Sequence, residues 1–414
     1  MSDAATHLVR NPYFTLRREE EWLYLRNPFH SRAIRSRPPL ERLLDFCEQP
    51  RRREEIAARF HPDDALWRLL LDQFLLVPQG TEESLGRGLL RDSTRAVGRR
   101  VSFAELAQHA RPGAFGLLGA PIDLGATAEA GAREGPAWVR SALAETPLAA
   151  SWGSPAVLDM ELRRRYDCSA LSLLDLGDIE RIAGEPLSHP GSRIAHVASR
   201  LLSLQMVPIV IGGDHSITYF SLGAALAQVP RLGVLHFDAH PDLYFSPDPE
   251  LNLLSHANPF RFLLQSSALC HLRQLGLRTF EKVHGRARLV EDRRLSFRSA
   301  RELQRLSPAQ ALGDLPADIP YYLTFDVDCL DPVYAPETGA PVAGGLSYYQ
   351  ALDLVDYASR RFRIIGADFV EVSGAMGRIH QGCQVVARLL AALVLNSLPV
   401  QPLDGYLFDV ESSP

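Results

Sequence analysis

Three short apolar runs, at 207–211, 233–237 and 321–325, each give way abruptly to a cluster of aspartate and histidine. A five-residue run that is apolar nearly throughout is too short for a core helix. It reads as a strand buried on both faces. Further runs of this kind fall at 115–119, 172–176 and 364–372, with helical patterns between them at 136–145, 193–205, 217–227, 348–360 and 381–398. Strands alternating with helices predict an α/β fold: a parallel sheet with helices on both faces, three layers deep. In such sheets ligands gather outside the carboxyl ends of the strands. That is where the polar clusters sit.

The first run ends in Gly212-Gly213-Asp214-His215-Ser216, the second in Asp238-Ala239-His240-Pro241-Asp242, the third in Asp326-Val327-Asp328-Cys329-Leu330-Asp331-Pro332. Alternation in an extended segment puts Asp238, His240 and Asp242 on one side, and Asp326 with Asp328. Carboxylates crowded this closely cannot all stay ionised without a compensating cation. An Asp-x-His or Asp-x-Asp alone is commonly a loop or a cap; three such motifs at three strand ends make a stronger case. Six nitrogen and oxygen donors without cysteine disfavour structural zinc and suit a pair of divalent ions such as manganese.

These motifs, in this order, resemble the ureohydrolase family of arginases and agmatinases. The likeness runs from Gly116 to near the C-terminus and includes the stretch Gly119-Ala120-Pro121-Ile122-Asp123-Leu124-Gly125. The segment Thr338-Gly339-Ala340-Pro341, leading to Gly344-Gly345-Leu346-Ser347, is closer to the agmatinase branch. The resemblance implies an arginase-like fold and two Mn2+ per subunit, one held by His215, Asp238, Asp242 and Asp326, the other by His240, Asp238, Asp326 and Asp328. It implies hydrolysis of a guanidino group to urea plus an amine, with Asp242 carrying a proton toward the departing amine. Glu371 resembles the family's guanidinium clamp, and His256 its active-site loop histidine, a proton shuttle or substrate positioner. The sequence Ser255-His256-Ala257-Asn258-Pro259-Phe260 departs from the usual agmatinase pattern, in which glycine and threonine follow the histidine. The family also implies a homo-oligomer.

The chain is longer than this catalytic region needs. Residues 1–80 carry strand-like runs at 13–18 and 22–27, then helical patterns at 40–48, 52–60 and 63–75. They resemble small winged-helix domains of the PqqD type, which recognise leader peptides in ribosomal peptide maturation. Residues 81–113 read as a linker with one helix at 102–110, and 114–414 as the catalytic domain. Residues 1–112 hold 19 arginines against 16 acids, a net of +3, so the rest of a chain with net charge −5 carries −8. No like-charge block marks a nucleic-acid arm, and the helix at 63–75 has only Arg68 as a basic residue, a poor major-groove reader. No nucleic-acid partner is expected. No run reaches the roughly 18 apolar residues of a membrane span, and the start lacks a secretory pattern. Five scattered cysteines suit a reducing cytoplasm.

The substrate reading follows from what is missing. Arginases anchor the free amino acid partly through an aspartate after a Gly-Leu-Arg segment; here Gly276-Leu277-Arg278 continues to Thr279-Phe280. The loop at 245–252 also lacks the arginase pattern. Arginine side chains of a ribosomal precursor peptide, converted to ornithine, therefore lead, with the N-terminal domain capturing the leader. The first rival is agmatine or a guanidino acid as a free small molecule. The second is a non-catalytic binding or regulatory protein on the same scaffold, against which all six expected metal ligands argue.

Overall fold

The computed structural model describes residues 7–10, 15–19, 22–26, 33–36, 39–72, 75–78, 90–91, 93, 96–149, 154–182, 184–245, 253–280, 292–373 and 381–403. The loop at 246–252, most of the stretch 81–95 within the expected linker at 81–113, and His284 and His380 lie outside these residues.

Eight strands form the body of one sheet: β1 (Phe115–Gly119), β2 (Leu173–Ile179), β3 (Val207–Ile211), β4 (Leu232–Phe237), β5 (Leu269–Leu277), β6 (Leu295–Ser299), β7 (Pro320–Asp326) and β8 (Arg363–Val370). Their spatial order is β6-β5-β4-β7-β8-β3-β1-β2, and all these neighbours pair in parallel. Two-residue strands at Arg99–Arg100 and Leu90–Arg91 add to β2, the second antiparallel. The order matters for function. Strands β4, β7, β8 and β3 are contiguous, so motifs up to about 160 residues apart in sequence end side by side.

Alternation along each strand divides the core into two. Ile209 and Ile211 pack with residues of α1 (Gly135–Leu143), α4 (Tyr348–Arg361) and α5 (Gln381–Leu395). Val210, pointing the other way, packs with α2 (Ser188–Ser203) and with Phe220 of α3 (Thr218–Leu226). Helices therefore cover both faces, as the apolar runs require. The molecule is an arginase-like three-layer α/β protein in this region.

Two of these eight strands escaped the sequence reading. In β5 the run Leu269-Cys270-His271-Leu272-Arg273-Gln274 interleaves polar residues, of which Arg273 and Gln274 are nonetheless buried: Arg273 reaches Asp314 at 2.6 Å, and the Gln274 amide nitrogen is bonded to His236 and Pro241. Strand β6 is half-buried at the sheet edge and carries no apolar run. The expected strand at 364–372 stops at Val370, and the expected helix at 102–110 shortens to Leu106–His109.

The N-terminal region is α+β. A hairpin of Thr15–Glu19 and Trp22–Arg26 is extended by Ala33–Ser36. His7–Arg10 pairs between Arg51–Arg52 and Leu76–Pro78. Helices run at Pro39–Phe46, Arg53–Phe60 and Asp64–Asp72. Only the hairpin strands were legible, since the others are short and pair across long loops. Leu8, Leu25, Leu43, Leu44, Ile56 and Leu70 form a core separate from that of the large sheet.

Candidate metal centre

Local backbone chemistry aims each side chain. After β3 the chain passes so close to Ile122 that a Cβ on Gly213 would sit 1.6 Å from the Ile122 carbonyl oxygen. Glycine is needed there. Asp214 then caps the short helix His215–Ile217, its Oδ1 accepting the Ser216 N–H at 2.9 Å, and its Oδ2 accepts the Gly125 N–H at 2.8 Å. Asp214 is thus occupied as a cap, and His215 is the residue presented inward. At the end of β7 the Asp326 carboxylate accepts the Asp328 N–H at 2.8 Å, which turns Asp328 onto the same side.

All eight residues singled out from the sequence meet in one place. His215 Nδ1 lies 2.8 Å from Asp242 Oδ2, 3.2 Å from Asp238 Oδ2 and 3.3 Å from Asp326 Oδ2. His240 Nδ1 lies 2.9 Å from Asp328 Oδ2 and 3.5 Å from Asp238 Oδ1. Two overlapping sets of donor atoms result, sharing Asp238: His215, His236, Asp238 and Asp242 in one, Asp238, His240 and Asp328 in the other. Above them a cavity of about 240 Å³ is lined by His240, Asp242, Asp326 and Asp328 on its floor and by His256 and Glu371 on its wall. A larger cavity, of about 550 Å³, lies by the start of β2 and touches none of these residues.

The electrostatics show what the cluster lacks. Burial raises the Asp326 carboxyl well above its usual range, and repulsion from Asp328 and Asp238 adds to it. Asp328 is pushed up to about 7, again by burial and then by Asp238. His215 moves up although burial alone would lower it, because Asp238, Asp242 and Asp326 favour its cationic form; His240 rises to about 11 for the same reason, through Asp238 and Asp328. Positive charge is demanded here, as protons or as metal.

His215 tells which. Its Nε2 is 3.0 Å from the Thr324 hydroxyl. With Nε2 donating its hydrogen to that hydroxyl, Nδ1 carries the lone pair. Nδ1 is buried, forms no hydrogen bond, and faces three carboxylate oxygens. A lone pair aimed at anionic oxygens suits a cation held among them. The residues present fit a pair of divalent ions.

Glu371 follows β8 in the left-handed region, φ 61°, and Asp242 sits at φ 50°. Backbone strain of this kind, roughly 1–3 kcal/mol per residue, concentrates at functional sites. Glu371 Oε1 accepts the main-chain N–H of His215 at 2.8 Å and the ring Nδ1–H of His256 at 3.0 Å. Thr127 donates its backbone N–H to the other ring nitrogen of His256 at 3.0 Å, and His256 donates its own N–H to the Gly125 carbonyl. The loops at 125–128 and 253–258 are therefore joined across the cavity mouth.

Sequence reasoning missed His236, Gln274 and Thr127. His236 had a signal, lying two residues before Asp238 on the same side of β4. Gln274 and Thr127 had none, since only tertiary contacts bring them here.

Fold and site together define a three-layer α/β protein with a candidate metal centre at the ends of parallel strands. The chain belongs to the arginase family, whose model matches residues 114–396. An agmatinase from Serratia proteamaculans is 33% identical over 288 residues, 69% of this chain and 86% of that protein. A hypothetical agmatinase from Burkholderia thailandensis, solved by X-ray crystallography, is 31% identical with a TM-score of 0.57, covering 69% of this chain and 86% of that one. The proclavaminate amidino hydrolase of Streptomyces clavuligerus shares the fold, with a TM-score of 0.60 at 23% identity over 75% of this chain and 98% of that one. The protein is accordingly an arginase-family hydrolase acting on guanidino C–N bonds.

Proposed function

We propose that the protein converts a guanidino group to urea and an amine at a dinuclear centre, on arginine side chains of a ribosomal precursor peptide or on agmatine or a guanidino acid as a free small molecule. His215, Asp238, Asp242 and Asp326 would hold one divalent ion and His240, Asp238, Asp326 and Asp328 the other, with Mn2+ the expected metal. When bound, the pair supplies nucleophilic water at neutral pH. Glu371 accepts an N–H of the planar guanidinium through Oε2, its Oε1 being held by His215 and His256. His256, fixed between Glu371 and Thr127, positions the substrate and closes the mouth on that side. Asp242, raised by burial and by its neighbour Asp238, is a suitable carrier of a proton to the departing amine.

One observation bears on the substrate class. Arg278 is followed by Thr279 rather than by the aspartate through which arginases partly anchor the free amino acid. This disfavours free arginine. Agmatine, a guanidino acid and peptidyl arginine remain. Agmatine is favoured by the agmatinase relatives. Arginine within a precursor peptide is favoured by the N-terminal α+β unit with its separate core: residues 1–80 would capture a leader by strand addition, 81–113 would link, and 114–414 would catalyse. Tethering would raise local substrate concentration and reduce the recognition needed at the site.

The deciding experiment offers the Mn2+-loaded protein agmatine, free arginine, guanidinobutyrate and arginine-containing precursor peptides. Urea and peptide mass are measured. Conversion of peptidyl arginine appears as a loss of about 42 Da per residue. Robust urea from agmatine with unchanged peptides selects the small-molecule reading. Urea from none of them removes the activity altogether.

A further inference from the structure

We infer that Gln274 is a positioning residue for the metal centre, acting through His236 on Asp238 and through Pro241 on Asp242. The inference rests on the dinuclear reading above and deepens it.

The Pro241 carbonyl oxygen can accept a hydrogen bond but cannot donate one. Gln274 Nε2 lies 2.7 Å from the Pro241 carbonyl oxygen and 3.0 Å from His236 Nδ1. A flipped amide would set its oxygen against that carbonyl, so the nitrogen is the atom facing Pro241. Both amide hydrogens are then committed, one to Pro241 and one to His236. His236 Nδ1 accepts, which leaves the imidazole hydrogen on Nε2. That hydrogen is donated to Asp238 Oδ2 at 2.7 Å. Phe260 packs against the His236 ring with centroids 4.2 Å apart and limits its rotation.

Two consequences follow. His236 stands among the donor atoms of the first cluster, yet both its nitrogens are engaged and no lone pair is left for a cation. It is a support for Asp238. Asp238 in turn has each oxygen tied once, Oδ2 by His236 and Oδ1 by the His240 main-chain N–H at 2.6 Å. The free lone pair of Oδ2 faces the His215 side and that of Oδ1 the His240 side. Such fixing suits a carboxylate shared between two ions. The Pro241 contact holds the turn in which Asp242 takes its left-handed conformation.

The placement is built into the sheet. Gln274, His236, Thr324 and Asp368 are register partners across β5, β4, β7 and β8, all buried. One transverse row thus supports Asp238 through His236 and His215 through Thr324.

The test uses the full chain. Gln274→Met removes the donor with little change in volume, and Gln274→Glu keeps the shape but only accepts. Both should fold, by circular dichroism, and both should bind Mn2+ about 10 to 100-fold more weakly than wild type, by titration calorimetry. The Michaelis constant for the guanidino substrate should change much less than the turnover number. Wild-type affinity and two equivalents of Mn2+ in both variants would overturn the inference. Nitrogen NMR of metal-free wild-type protein gives an arm that needs no variant: His236 should carry its hydrogen on Nε2, and the opposite tautomer would also overturn it. Failure of the wild type to bind Mn2+ at all would instead refute the dinuclear reading, while the tautomer still decides the Gln274 contact.

Discussion

Glu371 Oε1 accepts the His256 ring N–H at 3.0 Å, so the proposed guanidinium clamp and the loop histidine form one unit, with Thr127 behind it. The same oxygen accepts the main-chain N–H of His215 at 2.8 Å. Burial and the resulting network fix the carboxylate, leaving it little freedom to reorient.

Glu371→Gln keeps the shape and removes the charge. A charge-assisted hydrogen bond contributes about 1.5–3 kcal/mol, so kcat/KM for the guanidino substrate should fall roughly 10 to 100-fold. Bound Mn2+ should be unchanged. Steady-state urea release with metal analysis checks both, and an unaltered kcat/KM would exclude the clamp.

Asp238 lies between both histidines and is shared by the two donor sets. Asp238→Asn should lower metal content at both positions, and urea formation by about 10³-fold or more, since metal activation is worth several kcal/mol. Metal content is read by emission spectroscopy after dialysis. A fully loaded and active variant would contradict the shared-ligand geometry.

The buried Arg140 guanidinium is held by Asp175 at 3.1 Å, by Asp178, and by the Gly177 carbonyl oxygen at 2.8 Å. Removing one partner leaves buried charge unpaired. Arg140→Leu should destabilise the fold by about 3–5 kcal/mol in urea denaturation. A loss below about 1 kcal/mol would mean the site relaxes or hydrates freely.

His196 on α2 is pushed down to about 3 by burial, with Arg200 adding to the effect, from a usual value near 6.5. Between pH 6.5 and 3 the unfolded chain binds a proton there that the folded chain does not. The neutral buried ring therefore contributes stability that is complete above pH 6.5 and lost as pH falls toward 3. The slope approaches about 1.4 kcal/mol per pH unit. His196→Gln should flatten that part of the stability curve relative to wild type, measured by denaturation at several pH values. Parallel curves would show that His196 gains its proton while folded.

The region from residue 114 onward was readable because its central strands are buried on both faces. Burial forces runs such as Val207–Ile211 to be apolar throughout, and any polar residue directly after them stands out. Strand β5 was not readable because its inward polar groups find partners only in the folded protein, Arg273 with Asp314 and Gln274 with His236 and Pro241. In the N-terminal region four short strands went unread, since pairing rather than pattern defines them.

The sequence by itself determined the identity of the eight candidate site residues and their place after apolar strands, because side-chain type and strand period are local properties. Tertiary structure decided the rest. It made β4, β7, β8 and β3 neighbours, put Asp242 and Glu371 into left-handed backbone, and set Gln274 against His236. Strand order, strain and the tautomer of a buried imidazole each depend on groups distant along the chain, and no local pattern records them.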